Sequence, residues 1–179
     1  MRSSRYAILS TLSAAALAVA ASLPAMAASG DRAGATFIDR SGNEIGKASL
    51  TETPNGLLIH VEVRGLAPGP HAFHIHGVGK CEASAGFKSA GGHFAPGGHK
   101  HGYRTAGGPH AGDMPNQFVG SDGVLKADIV NPRVTLAGGS TALLDADGAA
   151  LVVHAKADDY GSQPSGDAGD RVACAVIHR

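Results

Sequence analysis

All 26 glycines and eight of the nine prolines of this 179-residue chain fall after residue 27. No other feature restricts the fold as strongly. In a helix interior a glycine costs about 1 kcal/mol and a proline about 3 kcal/mol relative to alanine. With 34 such residues among the last 152, long helices have no room. A large two-domain enzyme is excluded on the same grounds. The expectation is one compact, loop-rich domain over residues 28–179.

Between these breakers the chain alternates. Leu57, Ile59, Val61 and Val63 share one face of an extended segment, with Leu58, His60, Glu62 and Arg64 on the other. The same period of two runs through Thr36–Asp39, Ala72–His76, Val124–Val130, Ala150–Ala157 and Val172–His178. Turn-forming clusters separate these stretches: Ser41-Gly42-Asn43, Thr53-Pro54-Asn55-Gly56, Ala67-Pro68-Gly69-Pro70, Ser121-Asp122-Gly123 and Asp145-Ala146-Asp147-Gly148. Short strands at this spacing predict an all-β, antiparallel sandwich or closed barrel. Two segments escape the pattern, the glycine-rich Gly77 to Gly120 and the polar Asp158 to Asp170. Loops longer than ~15 residues in a compact domain are commonly functional. Since the first is set with histidines, the function is expected there.

Residues 1–27 read as a signal peptide. Arg2 and Arg5 precede an Ala/Leu-rich run from Ala7 to Leu23, and Ala25-Met26-Ala27 has the small-x-small pattern of a cleavage site. At about 17 residues the run is at the short limit for crossing a bilayer. Removing it leaves 13 Lys and Arg against 15 Asp and Glu, a formal charge of −2. A mildly acidic surface of that kind argues against nucleic acid or an anionic membrane as partner. Export would place Cys81 and Cys174 in an oxidising compartment.

The ten histidines all lie in the exported part. His74 and His76 project from one face at the end of an alternating segment, and His154 ends another. His93, His101, His110 and Asp113 are spread along the glycine-rich loop. Imidazole suits copper and zinc alike, and three histidines with one aspartate complete a closed tetrahedral zinc site. Three further histidines would make most of a copper site and need one more nitrogen. A shared histidine supplies both sets from this inventory, which points to a two-metal centre. His60, His99 and His178 read as surface residues, and His71 as a structural hydrogen-bonding residue beside the site.

Together these residues resemble a known family. His74-Ile75-His76, Gly91-Gly92-His93-Phe94-x-Pro96, His101-Gly102, Gly107-Gly108-Pro109-His110-x-x-Asp113, Val152-Val153-His154-x-x-x-Asp158-Asp159 and Gly169-x-Arg171-x-x-Cys174 are similar, in order and spacing, to copper/zinc superoxide dismutase. The bacterial periplasmic branch fits best, and the similarity runs from about Ala33 to Ile177. It implies a Greek-key barrel with two long functional loops. It also implies copper on His74, His76, His93 and His154, and zinc on His93, His101, His110 and Asp113. Asp158 would link His74 to His101, Arg171 would attract the anion beside copper, and Cys81 and Cys174 would pair. Arg171 and His93 would be the catalytic residues. Departures are Ala72, where the family often has glycine, and a second loop without the lysine and glutamates that steer substrate in animal enzymes. Lys80 and Lys88 in the disulfide loop are candidates for that role.

The implied activity is dismutation of superoxide to dioxygen and hydrogen peroxide by a redox-cycling copper, bridged through a histidine to a structural zinc. It would act in antioxidant defence in the periplasm, free of the membrane after processing; the sequence leaves monomer and homodimer both open. The rival reading is an exported copper- or zinc-binding delivery protein without catalysis, which would not need Arg171. Zinc-dependent hydrolysis is disfavoured, because Asp113 would fill the position that a reactive water requires.

Overall fold

The computed structural model describes residues 31–179. The signal peptide expected at 1–27 lies outside them. Nine strands follow in order: β1 (Arg32–Asp39), β2 (Glu44–Thr53), β3 (Gly56–Val63), β4 (Gly69–His71), β5 (Phe73–His76), β6 (Gln117–Val119), β7 (Leu125–Asn131), β8 (Ala150–His154) and β9 (Arg171–His178). All pair antiparallel in one sheet of order β4-β6-β7-β3-β2-β1-β9-β8-β5. Its two outermost strands are consecutive in the chain. Only Ala72 separates β4 from β5, and its N–H and C=O bond to Lys156 O and His154 N at 2.8 and 2.9 Å. The chain thus rolls the sheet into a nearly closed barrel.

The expected inward face of β3 is the observed one: Leu57, Ile59, Val61 and Val63 have no exposure at all. Phe37, Leu50, Phe73, Ile75, Leu125, Leu151 and Val153 fill the barrel around them. β2 escaped the alternation pattern because two of its inward positions, Gly46 and Ala48, are small. Gly46 allows this: a side-chain carbon there would sit 2.3 Å from the Glu62 carbonyl on β3. The strand expected over Ala150–Ala157 stops at His154, where the ladder to β9 slips register. His60, read as a surface residue, lies opposite Asp128 on β7 with Nδ1 and Oδ1 2.7 Å apart, both exposed. Such a pair adds little stability.

A second apolar cluster lies outside β8 and β9. Phe87, Ala90, Ala150, Val152 and Cys174 are buried there, and Cys81 packs against them. Cys81 and Cys174 form a disulfide across 93 positions, tying the segment after β5 to the last strand. The remaining free side of β5 is taken by the histidine-bearing loop that follows it. Ile75 N bonds to Gly112 O at 2.9 Å, Phe94 N to Ile75 O at 2.8 Å, and His74 and His76 bridge to Asp113 and His93.

Candidate metal centre

β5 delivers His74 and His76 from alternate positions, with Ile75 between them, and β8 ends in His154 beside them. His76 Nε2 lies 3.3 Å from His154 Nε2, and the His74 and His93 rings are 4.0 Å apart. On the other side of His93, the Nδ1 atoms of His93, His101 and His110 converge on Asp113 Oδ1 at 2.9, 3.1 and 3.3 Å. Asp113 is oriented by its second oxygen, which accepts the N–H groups of Gly102 and His110, each at 2.9 Å. Two groups of donor atoms result: His74, His76, His93 and His154, and His93, His101, His110 and Asp113. His93 belongs to both. Every metal-binding residue expected from the sequence is therefore in one place.

Hydrogen bonds decide which nitrogens remain free. Asp158 places Oδ2 2.8 Å from His74 Nε2 and Oδ1 3.0 Å from His101 Nε2. A carboxylate accepts only, so both imidazoles carry a proton on Nε2; His74 then turns a bare Nδ1 lone pair inward, while His101 presents Nδ1 to Asp113. His76 Nδ1 donates to Gly91 O (3.0 Å) and His154 Nδ1 to Gly169 O (3.3 Å), leaving their Nε2 lone pairs inward. Among the described residues, two buried ring nitrogens have no hydrogen-bond partner, His74 Nδ1 and His93 Nε2. An orphaned buried polar atom is costly unless something binds it. Both belong to the first donor group, so the residues present suit a metal that prefers nitrogen.

The protonation states agree. Burial first, against the pull of Asp158, brings His74 down to about 4. Burial and the neighbouring His74 bring His154 to about 3, and burial holds His76 well below its ordinary range. Neutral imidazole is the ligating form. Burial works to raise Asp113, but hydrogen bonds from His93 and the Gly102 N–H outweigh it, and the group stays a carboxylate.

Several supporting residues carried no signal in the sequence. Asn116 forms a reciprocal pair with the Asp158 backbone, donating Nδ2 to its carbonyl (2.9 Å) and accepting its N–H (2.7 Å). Gly166 leaves the space that Asp158 occupies: a side-chain carbon there would overlap Asp158 Oδ1 and lie 2.7 Å from His101 Nε2, at a φ of +70°. Gly166→Ala is therefore expected to displace Asp158 and weaken metal affinity on the order of 10–100-fold, the usual cost of losing a group behind the ligands. Equilibrium metal competition measures it, with Asp158→Asn as the matching control that keeps all eight donor atoms.

Arg171 begins β9 beside this cluster. Its two terminal nitrogens donate to Phe87 O and Gly91 O, each at 2.6 Å. Both carbonyls belong to the disulfide-bearing segment, and the Gly91 oxygen also receives His76 Nδ1. A cleft of about 400 Å³ opens over Arg171, His76, His93, His110 and His154. A larger open groove, about 780 Å³, crosses the outside of β2 and β3, but neither metal-binding group lies in it. His71 bridges two backbone carbonyls, His154 O at 2.6 Å and Ala67 O at 2.7 Å, as a structural residue would.

Comparison with known proteins gives the same picture. The family model described as copper/zinc superoxide dismutase matches residues 44–177. The chain is 48% identical over 148 residues to Superoxide dismutase [Cu-Zn] 2 of Aquifex aeolicus, covering 82% of this chain and 86% of that protein. It is 47% identical over 139 residues to Superoxide dismutase [Cu-Zn] of Caulobacter vibrioides, covering 76% and 79%. Among solved structures, a superoxide dismutase-like protein from Bacillus subtilis superposes with a TM-score of 0.78 at 36% identity, over 81% of this chain and 97% of that one. The copper/zinc superoxide dismutase of Brucella abortus gives 0.67 at 29% identity, over 83% and 100%. With its barrel, its two donor groups and these relatives, the chain belongs to the copper/zinc superoxide dismutase family, as an enzyme that dismutes superoxide with copper and zinc as cofactors.

Proposed function

We propose that His74, His76, His93 and His154 hold copper, that His93, His101, His110 and Asp113 hold zinc, and that Arg171 and His93 are the catalytic residues. One observation carries the division. Among the six histidines, four have one ring nitrogen tied to a carboxylate or carbonyl outside both donor groups, whereas His93 presents Nδ1 to Asp113 of the aspartate-containing group and leaves Nε2 buried without a partner in the all-nitrogen group. A residue with both nitrogens turned to donor clusters is suited to bridge them. Bound copper would supply a one-electron redox couple, and zinc a fixed charge without redox change.

The chain's own residues supply the rest. Arg171, held by two carbonyls, offers a permanent charge and a planar donor fork to a small anion entering the cleft. His93 Nε2 faces the same space and can hold a proton for the departing peroxide. Metal analysis tests the division: His110→Ala should lose zinc preferentially and His76→Ala copper preferentially.

Arg171 separates a catalyst from a carrier. Arg171→Ala is expected to leave copper and zinc content unchanged and to lower kcat/KM about tenfold, equivalent to ~1.4 kcal/mol of transition-state stabilisation. Arg171→Lys should recover part of it through charge alone. Added salt should slow the wild type more than the alanine variant, since a Debye length of ~8 Å at physiological ionic strength screens the attraction. Equal rates at equal copper loading would refute the role.

Residues 1–27 are proposed to direct export and to be cleaved after Ala27, giving a periplasmic enzyme that begins at Ala28. The disulfide supports this reading, because such bonds persist in oxidising compartments. Intact-mass measurement of exported protein checks the cleavage, and sedimentation at micromolar concentration distinguishes monomer from homodimer.

A further inference from the structure

Gln163 stands in the second loop, exposed, in neither donor group. Its amide oxygen accepts the backbone N–H of His101 at 3.0 Å, and its amide nitrogen donates to the His101 carbonyl at 2.8 Å. The same nitrogen lies 2.9 Å from the Gly161 carbonyl and 3.4 Å from Thr105 Oγ1. One orientation of the amide satisfies both His101 groups, because an N–H needs the oxygen and a carbonyl needs the nitrogen.

His101 is thereby held at every polar atom. Its side chain is wholly buried, with Nδ1 3.1 Å from Asp113 Oδ1 and Nε2 3.0 Å from Asp158 Oδ1. Three of these four grips come from the second loop, through Asp158 and Gln163. They do different jobs. Asp158 sets the twist of the ring but leaves its base free to shift, whereas Gln163 fixes the backbone from which the ring hangs. The two segments also lie flush: Arg104 N bonds to Tyr160 O at 3.0 Å, and a side-chain carbon on Gly102 would sit 2.2 Å from that same oxygen. A shift of His101 would therefore have to open this contact, and Gln163 is the side chain that closes it over His101.

We propose that Gln163 is a positioning residue for zinc: by clamping the His101 backbone it fixes where Nδ1 points, and so sets how long the ion stays bound. The proposal rests on the assignment of His101 to zinc made above. Because Gln163 is exposed, its removal should cost little folding stability, and the effect should concentrate in zinc retention.

The test uses the exported, disulfide-intact enzyme loaded with both metals. Gln163→Ala removes the clamp, and Gln163→Met keeps its length without its hydrogen bonds. Zinc transfer to a chromogenic chelator is expected to be at least about tenfold faster in both, within the range seen when partners behind ligands are lost. Cobalt(II) placed in the zinc position should show shifted visible bands in both variants, while the unfolding midpoint of the metal-free protein stays at the wild-type value. Unchanged zinc release in both variants would overturn the proposal. So would wild-type behaviour of Gln163→Met, or faster release matched by equal destabilisation of the metal-free protein. Failure of the underlying assignment would show separately, as wild-type zinc retention in a His110→Ala control.

Discussion

His93→Ala is expected to abolish most dismutase activity, by on the order of 10²-fold or more, while the protein still takes up both metals weakly. Each donor group keeps three of its four members in this variant, so binding persists at reduced affinity. Two things are lost together. The groups no longer share a residue, and Nε2 no longer offers a proton to the departing peroxide; general acid catalysis alone is commonly worth 10²–10⁴-fold. Rates should be compared at matched copper content, measured by mass spectrometry. Full activity at full copper loading would show that the assignment of His93 as the shared, proton-carrying residue is wrong.

Removing the disulfide should give the largest loss of stability. A Cys81→Ser, Cys174→Ala variant frees a closure of 93 positions, which on chain entropy lowers unfolding free energy by at most about 4–5 kcal/mol. Urea unfolding of oxidised wild type and variant measures this. The rate should fall as well, even with both metals bound, because the freed segment carries the Phe87 and Gly91 carbonyls that hold Arg171. If stability dropped and kcat/KM at matched copper did not, the segment would hold Arg171 without needing the bond.

The strands and the candidate metal-binding residues were legible in the sequence for different reasons. Alternation exposed β3 because its inward residues are large, and it missed β2 because Gly46 and Ala48 present almost no apolar contrast. The histidines were legible because their spacing repeats a family's motifs, not because their positions predict proximity. Nothing in the order of His93, His101, His110 and Asp113 says that three Nδ1 atoms meet one oxygen; turns at glycines such as Gly102 make that possible. Asn116, Gln163 and Gly166 stayed hidden because they act through backbone groups or through empty space, which leave no compositional trace. Asp158 was found by its place four residues after His154, within a motif.

The position of the ligand-bearing loop along β5 has a bearing beyond catalysis. A strand whose backbone groups are unmet on one side is an invitation to another chain, and proteins usually blunt such edges with charge, proline or a bulge. Here β5 reads Phe-His-Ile-His, with none of these, and the loop between Phe94 and Asp113 covers it instead. That loop is short of regular structure and is drawn together at His93, His101, His110 and Asp113. Filling the second donor group would therefore also tighten a seam that backbone hydrogen bonds close. A metal-starved population would meet its neighbours with that seam loosened, so copper and zinc supply should govern how well the protein stays apart from its own copies, as well as how fast it turns over.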